Sequence, residues 1–172
     1  MADKATREEL RFERLLEAPI DQVWRYIVEP ELRATWFMAG PTDLREGGSF
    51  GMTMDHDRLS DDNVPIPDRF KPYDGNSWSE KILALDPPKL LIIEWEEAKA
   101  GTVTFALSQK EGGKTRLILT HTGLRGREDA ANFGGGWASH LVVLERRLRG
   151  ERVSNFWTIH AHAENEIRAA LE

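Results

Sequence analysis

Residues 128–150 read EDAANFGGGWASHLVVLERRLRG, and this stretch decides the fold. Phe133, Trp137, Leu141, Leu144 and Leu148 recur every three or four positions, the spacing that places side chains on one face of an α-helix. Arg146, Arg147 and Arg149 lie mostly off that stripe, so the pattern predicts a long amphipathic helix whose apolar side needs cover. Gly150 is placed to end it, because glycine enters the left-handed backbone of a helix stop without steric cost. The consecutive glycines Gly134, Gly135 and Gly136 should cost ~2–3 kcal/mol against alanine inside a helix. Their presence predicts a close backbone approach to a strand, or a hinge.

Upstream the period is two. Leu10, Phe12, Arg14 and Leu16 alternate with Arg11, Glu13, Leu15 and Glu17, a half-buried strand with two irregularities. Arg14 falls on the apolar parity and so calls for a carboxylate, an anionic ligand group, or an edge position. Pro19 favours a helix start, and Val23, Trp24 and Ile27 predict a short helix over 20–28. Pro30 ends it, and residues 31–36 make a further turn or two. Phe50, Met52 and Met54 alternate next; strands follow over 78–85 and 90–97, where Leu91, Ile93 and Trp95 oppose Glu94 and Glu96. Val103, Phe105 and Leu107 mark another strand, Glu111 to Lys114 a glycine hairpin turn, and Leu117, Leu119 and His121 its partner. Residues 155–171 read as a last helix with Phe156, Ile159, Ala163 and Ile167 on one side. Strand, two short helices, a run of strands and a long helix give an α+β fold: a curved antiparallel sheet wrapped around the C-terminal helix.

Composition bounds the rest. At 172 residues and 19.6 kDa, the folded chain should bury roughly 70% of its unfolded surface, which suits one domain over 1–172. Within it, residues 1–8 read as a flexible lead, 55–74 as a long polar loop and 151–172 as a C-terminal helical extension. The absence of cysteine excludes disulfides, thiol nucleophiles and Cys-ligated metal. A net charge of −6 with no basic stripe argues against nucleic acid. The charged start lacks a signal-peptide pattern and no run of about 18 apolar residues exists, so no membrane span and a cytoplasmic address are expected.

The chain also resembles a known family. Ala18-Pro19-Ile20-Asp21-Gln22-Val23-Trp24 is similar to the opening of helix-grip (START-like, SRPBCC) proteins. Arg45-Glu46-Gly47-Gly48-Ser49-Phe50, Trp78-Ser79-Glu80-Lys81-Ile82, Asp86-Pro87-Pro88-Lys89-Leu90-Leu91 and Leu119-Thr120-His121-Thr122-Gly123-Leu124 resemble the branch named after the activator of Hsp90 ATPase. Gly135-Gly136-Trp137 with His140-Leu141, and Asn155-Phe156-Trp157 with His160-Ala161, extend the likeness to the C-terminus. The resemblance implies a deep apolar cavity between sheet and long helix, used by different members for lipids, polyketides or hormones. The eukaryotic namesake's co-chaperone role involves a second domain, for which this chain has no room.

The candidate ligand-binding residues are Trp36, Phe50, Met52, Trp78, Trp95, Phe105, His121, Trp137 and His140. Aromatic rings grip flat apolar molecules by stacking and area burial, and methionines fill irregular gaps. Ordinary core packing is the alternative for each. Trp24, Phe37 and Met54 belong to the same set. His121 shares a face with Leu117 and Leu119, and His140 borders the helix stripe, so the two are the candidate titratable pair. The expected function is binding of an apolar or amphipathic small molecule or lipid; a cyclase- or dehydratase-type enzyme, an Hsp90-type chaperone partner and a homodimer are the alternatives. No catalytic set, cofactor or metal site is expected. Gly113-Lys114-Thr115 lacks the earlier glycine and the helix of a phosphate loop. His160 with Glu164 has no third metal ligand at a convincing spacing, and Asp61-Asp62 lacks the calcium-loop pattern.

Overall fold

The strands are β1 (Lys4–Ala5), β2 (Glu9–Leu16), β3 (Ser49–Thr53), β4 (Ser77–Asp86), β5 (Leu90–Glu94), β6 (Thr102–Lys110) and β7 (Lys114–Thr122). In the computed structural model, which describes residues 3–171, they form one antiparallel sheet in the order β1-β2-β7-β6-β5-β4-β3. From β3 to β7 each strand lies beside the next in sequence, with the long 54–76 segment between β3 and β4 and shorter connections after it, whereas the chain leaves β2 at one side and re-enters at the far edge as β3. The helices α1 (Ile20–Val28) and α2 (Pro30–Arg33) span that crossing.

Alternation explains which face is covered. In β7, Thr115, Leu117, Leu119 and His121 are buried while their neighbours are half-buried, and β6 repeats the pattern through Val103, Phe105 and Leu107. Against that face lies α3 (Arg127–Leu148), whose Trp137, Leu141 and Leu144 are buried in one core with Leu10, Phe12 and Ile93. Each fully buried side chain of this kind contributes about 1.5–3 kcal/mol. The helix α4 (Phe156–Ala170) packs on α3 rather than on the sheet.

The glycine run explains that contact. A Cβ on Gly135 would stand 2.8 Å from Cβ of Glu164, and one on Gly134 would stand 2.8 Å from Cγ2 of Ile167. The expected close approach exists, but to α4 rather than to a strand. Only Leu10 of β2 reaches Gly134 from the sheet side, at 3.1 Å.

Other boundaries differ from the alternation pattern. The strand expected over 90–97 stops at Glu94, because Glu96, Glu97 and Ala98 turn into left-handed backbone with φ of 51°, 56° and 68°. Residues 3–8 of the lead expected to be flexible are tied down: β1 pairs with β2, and Asp3 accepts from Arg14 at 2.7 Å. Met1 and Ala2, and Glu172 at the other end, lie outside the described residues. Arg14 resolves as an edge position with a carboxylate: among the described residues no strand flanks β2 beyond Arg11 on that side, and Nε of Arg14 meets Glu145 of α3 at 3.2 Å.

A second arginine, Arg33, is fully buried at the end of α2. Its guanidinium donates to the carbonyls of Met38, Ile27 and Gly51 at 2.9 Å each and to Thr42 at 3.0 Å. It also lies 3.9 Å over the Phe50 ring. Burial lowers its pKa to about 10, so it stays charged at neutral pH and staples the α1–α2 crossing to β3. No helix among the described residues is long and apolar enough to cross a membrane.

Candidate functional site

Where the curled sheet and α3 part company, the 55–74 segment and α4 complete the walls of a cleft of about 770 Å³. The segment is less loop-like than its composition implies. His56 and Leu59 turn inward on a short 3₁₀ turn, and Asp61 accepts from Arg147 at 3.0 Å and from the Val153 amide at 2.6 Å. Further along, Arg69 meets Glu164 at 3.0 Å and Phe70 stacks on Trp157 with centroids 4.9 Å apart.

A chain of rings lines the interior. From Phe70 it passes to Trp157, to His56 (5.2 Å), to His140 (5.2 Å), to Phe37 (5.0 Å), to Trp137 (5.0 Å) and to Trp95 (5.2 Å). Trp78 stands at the mouth, 38% exposed. Polar groups share the lining: Glu80, Glu96, Glu97 and Lys99 on the sheet side, Arg69 and Tyr73 on the segment, and Asn132 on α3, besides the histidines.

Of the residues expected to line a pocket, Trp78, Trp95, Trp137 and His140 do, together with Phe37 and Met54. Trp36, Phe50, Met52, Phe105 and His121 do not line it; they sit beneath it in the core. Met52 packs in the hydrophobic core, and the others have specific partners there. Trp36 donates its indole N–H to the carbonyl of Tyr26 at 2.8 Å, Phe50 carries the Arg33 guanidinium, and Phe105 meets Trp137 edge-on at 5.9 Å. Trp24 is core in α1.

His121 is fully committed. Nδ1 accepts from the Trp137 indole, which can only donate, at 3.1 Å, so Nε2 carries the proton and donates to the Ala100 carbonyl at 2.7 Å. Burial outweighs that carbonyl and lowers its pKa to about 4. His121 therefore pins a loop instead of serving as one half of an acid–base pair with His140. His140 has its own anchor, Nδ1 to the Trp36 carbonyl at 2.8 Å, which makes Nε2 an acceptor. Burial, and then His56 beside it, hold this imidazole well below its ordinary pKa.

Residues that the candidate set lacks complete the site: His56, Arg69, Phe70, Glu80 and Trp157. Glu80 alone was legible, since Trp78, Glu80 and Ile82 share one parity of β4. Its buried carboxylate accepts the amides of Glu96 at 2.8 Å and Glu97 at 3.1 Å, and burial raises its pKa. Glu164 is 3.9 Å from His160, but arginines hold its oxygens. Burial pushes that carboxyl up, and Arg69 and Arg168 outweigh it and leave it below its ordinary value. Among the described residues no group of three or more potential ligands is arranged to hold a metal.

Comparison with known proteins follows this geometry. A Bordetella parapertussis protein solved by NMR is 32% identical, with a TM-score of 0.80, over 100% of this chain and 97% of that one. CalU16 of Micromonospora echinospora is 23% identical, with a TM-score of 0.70, over 98% and 96% of the two chains. A conserved Enterococcus faecalis protein of unknown function is 17% identical, with a TM-score of 0.67, over 100% and 94%. The latter two show the fold alone. No curated protein matches the chain. A family model described as Activator of Hsp90 ATPase homolog 1-like protein matches residues 17–149. Spanning most of the sheet and all of α3, that match means that the chain belongs to the Activator of Hsp90 ATPase homolog 1-like family.

Proposed function

We propose that the protein binds an amphipathic small molecule in the cleft between sheet and helices. The observation that carries this reading is the continuous run of rings from Phe70 to Trp95 along one open cleft of about 770 Å³. Ligand sites fall in roughly that size range and combine apolar walls with a few placed polar groups. The polar groups come from different walls, with Glu80, Glu97 and Lys99 on the sheet side and Arg69 and the histidines on the 55–74 segment and the helices. A mainly aromatic molecule carrying polar groups matches that distribution.

Thermal shift against a panel of lipids and polyphenols tests the reading. A ligand at a hundredfold excess over its Kd stabilises the folded state by about 2.7 kcal/mol, a melting shift of several degrees for a chain of this length. Uniform absence of a shift across the panel overturns it. The family's name favours a second reading, contact with an Hsp90-type chaperone. An ATPase assay with such a chaperone tests that reading, and an unchanged rate removes it.

A further inference from the structure

At its inner end the cleft carries two imidazoles with unmet hydrogen-bonding capacity. Nδ1 of His140 is spent on the Trp36 carbonyl, so Nε2 is an acceptor by necessity, and no described residue donates to it. One ring away, at 5.2 Å, Nδ1 of His56 is buried with no partner at all. Both residues line the cleft while more than nine-tenths buried. An unpaired buried nitrogen such as Nδ1 of His56 is costly and rare in folded proteins, and next to the open acceptor of His140 in a cavity wall it marks where a ligand's polar atom belongs.

The surroundings specify that atom. Phe37 meets His140 edge-on at 5.0 Å, Phe156 tilts over it at 5.1 Å and Trp157 stacks on His56. Phe37 and Trp157 line the cleft and offer faces for a flat ring, with Phe156 behind them in the core. Arg69, a cation of the cleft lining, is already held by Glu164. Burial keeps His56 and His140 neutral, so this end offers the acceptor on His140, the single N–H of His56 and no free positive charge. An anionic head group gains little here, a carbonyl or ether cannot donate, and a hydroxyl can.

We propose that this end of the cleft is a subsite for a phenolic hydroxyl, which donates its proton to Nε2 of His140 while its ring lies against Phe37 and Trp157. The proposal rests on the cleft being a ligand site and goes further by naming the ligand's chemistry.

Titration calorimetry with 2-naphthol and its methyl ether, 2-methoxynaphthalene, tests it. The ether keeps the ring and removes only the donated proton. We expect the naphthol to bind at least tenfold more tightly, and His140→Asn to reduce that preference to within threefold. The Asn amide preserves a donor to the Trp36 carbonyl and lacks Nε2. Equal binding of the two probes overturns the hydroxyl subsite and leaves the cleft reading standing. A preference that survives His140→Asn overturns the assignment to His140. Binding of neither overturns both. Should the variant fail to fold, nitrogen NMR of the unaltered protein decides: the His140 Nε2 resonance moves with the naphthol and not with the ether, and an unmoved resonance overturns the proposal.

Discussion

Trp137 donates its indole N–H to Nδ1 of His121 across 3.1 Å, joining the middle of the long helix to β7. The same imidazole then donates to the Ala100 carbonyl, so helix, sheet and the loop behind Trp95 are coupled through one ring. Replacing Trp137 with Phe keeps an aromatic ring and orphans a buried nitrogen. The expected cost is about 1–3 kcal/mol, seen as a lower urea midpoint with an unchanged slope. An unaltered midpoint would show that the bond is energetically silent.

The buried histidines make stability depend on pH. Folding lowers His121 and His56 from 6.5 to about 4, so between those values the unfolded chain holds protons that the folded chain does not. Stability is therefore complete above about pH 6.5 and falls as the pH drops toward 4, each residue accounting for about 3 kcal/mol over that window. Urea midpoints measured from pH 7.5 to 4.5 check the slope. His56→Phe retains the stack on Trp157 and should flatten it.

Glu80 holds the left-handed turn at Glu96 and Glu97 by accepting both amides. Such backbone costs about 1–2 kcal/mol per non-glycine residue and persists only where the surroundings hold it. Glu80→Gln leaves one acceptor oxygen and turns an amide toward the other N–H. Amide exchange at Glu96 and Glu97 should accelerate tenfold or more, with β6 and β7 unaffected. Unchanged protection at both amides would mean that the turn holds itself.

Neighbouring glycines of α3 should respond in opposite directions. At Gly135 a methyl would meet the Cα of Glu164 at 2.9 Å, so Gly135→Ala must push α4 away and should destabilise by about 1–3 kcal/mol. At Gly136 nothing lies within 4 Å, and alanine should stabilise the helix by up to about 1 kcal/mol. Thermal melts of the two variants settle the contrast; shifts of the same sign refute the packing account.

Periodicity carried most of the architecture. The β6–β7 hairpin, α1 and α3 were legible because each buries one face against a partner and repeats at 2 or 3.6 residues. The two-residue β1 has no such pattern, and the end of β5 at Glu94 depends on Glu80, a partner distant in sequence. The cleft was half legible. Trp95, Trp137 and His140 followed from helix and strand faces, whereas Trp36 and Phe50 have the same chemistry and pack into the core instead. His56 and Phe70 sit in an aperiodic acidic stretch, and only tertiary contacts with α4 turn them inward. Arg33 gave no warning, since its partners are backbone carbonyls, which every sequence possesses.

The placement of β2 between β1 and β7 has a price in time. During synthesis the first long strand emerges with its principal neighbour about a hundred residues from being made, so its open hydrogen-bonding edge must wait, or be shielded, until the last hairpin leaves the ribosome. The helix α3, which follows β7 in the chain, then covers the completed sheet. Nascent chains of this topology are thus exposed to mispairing until β7 has emerged.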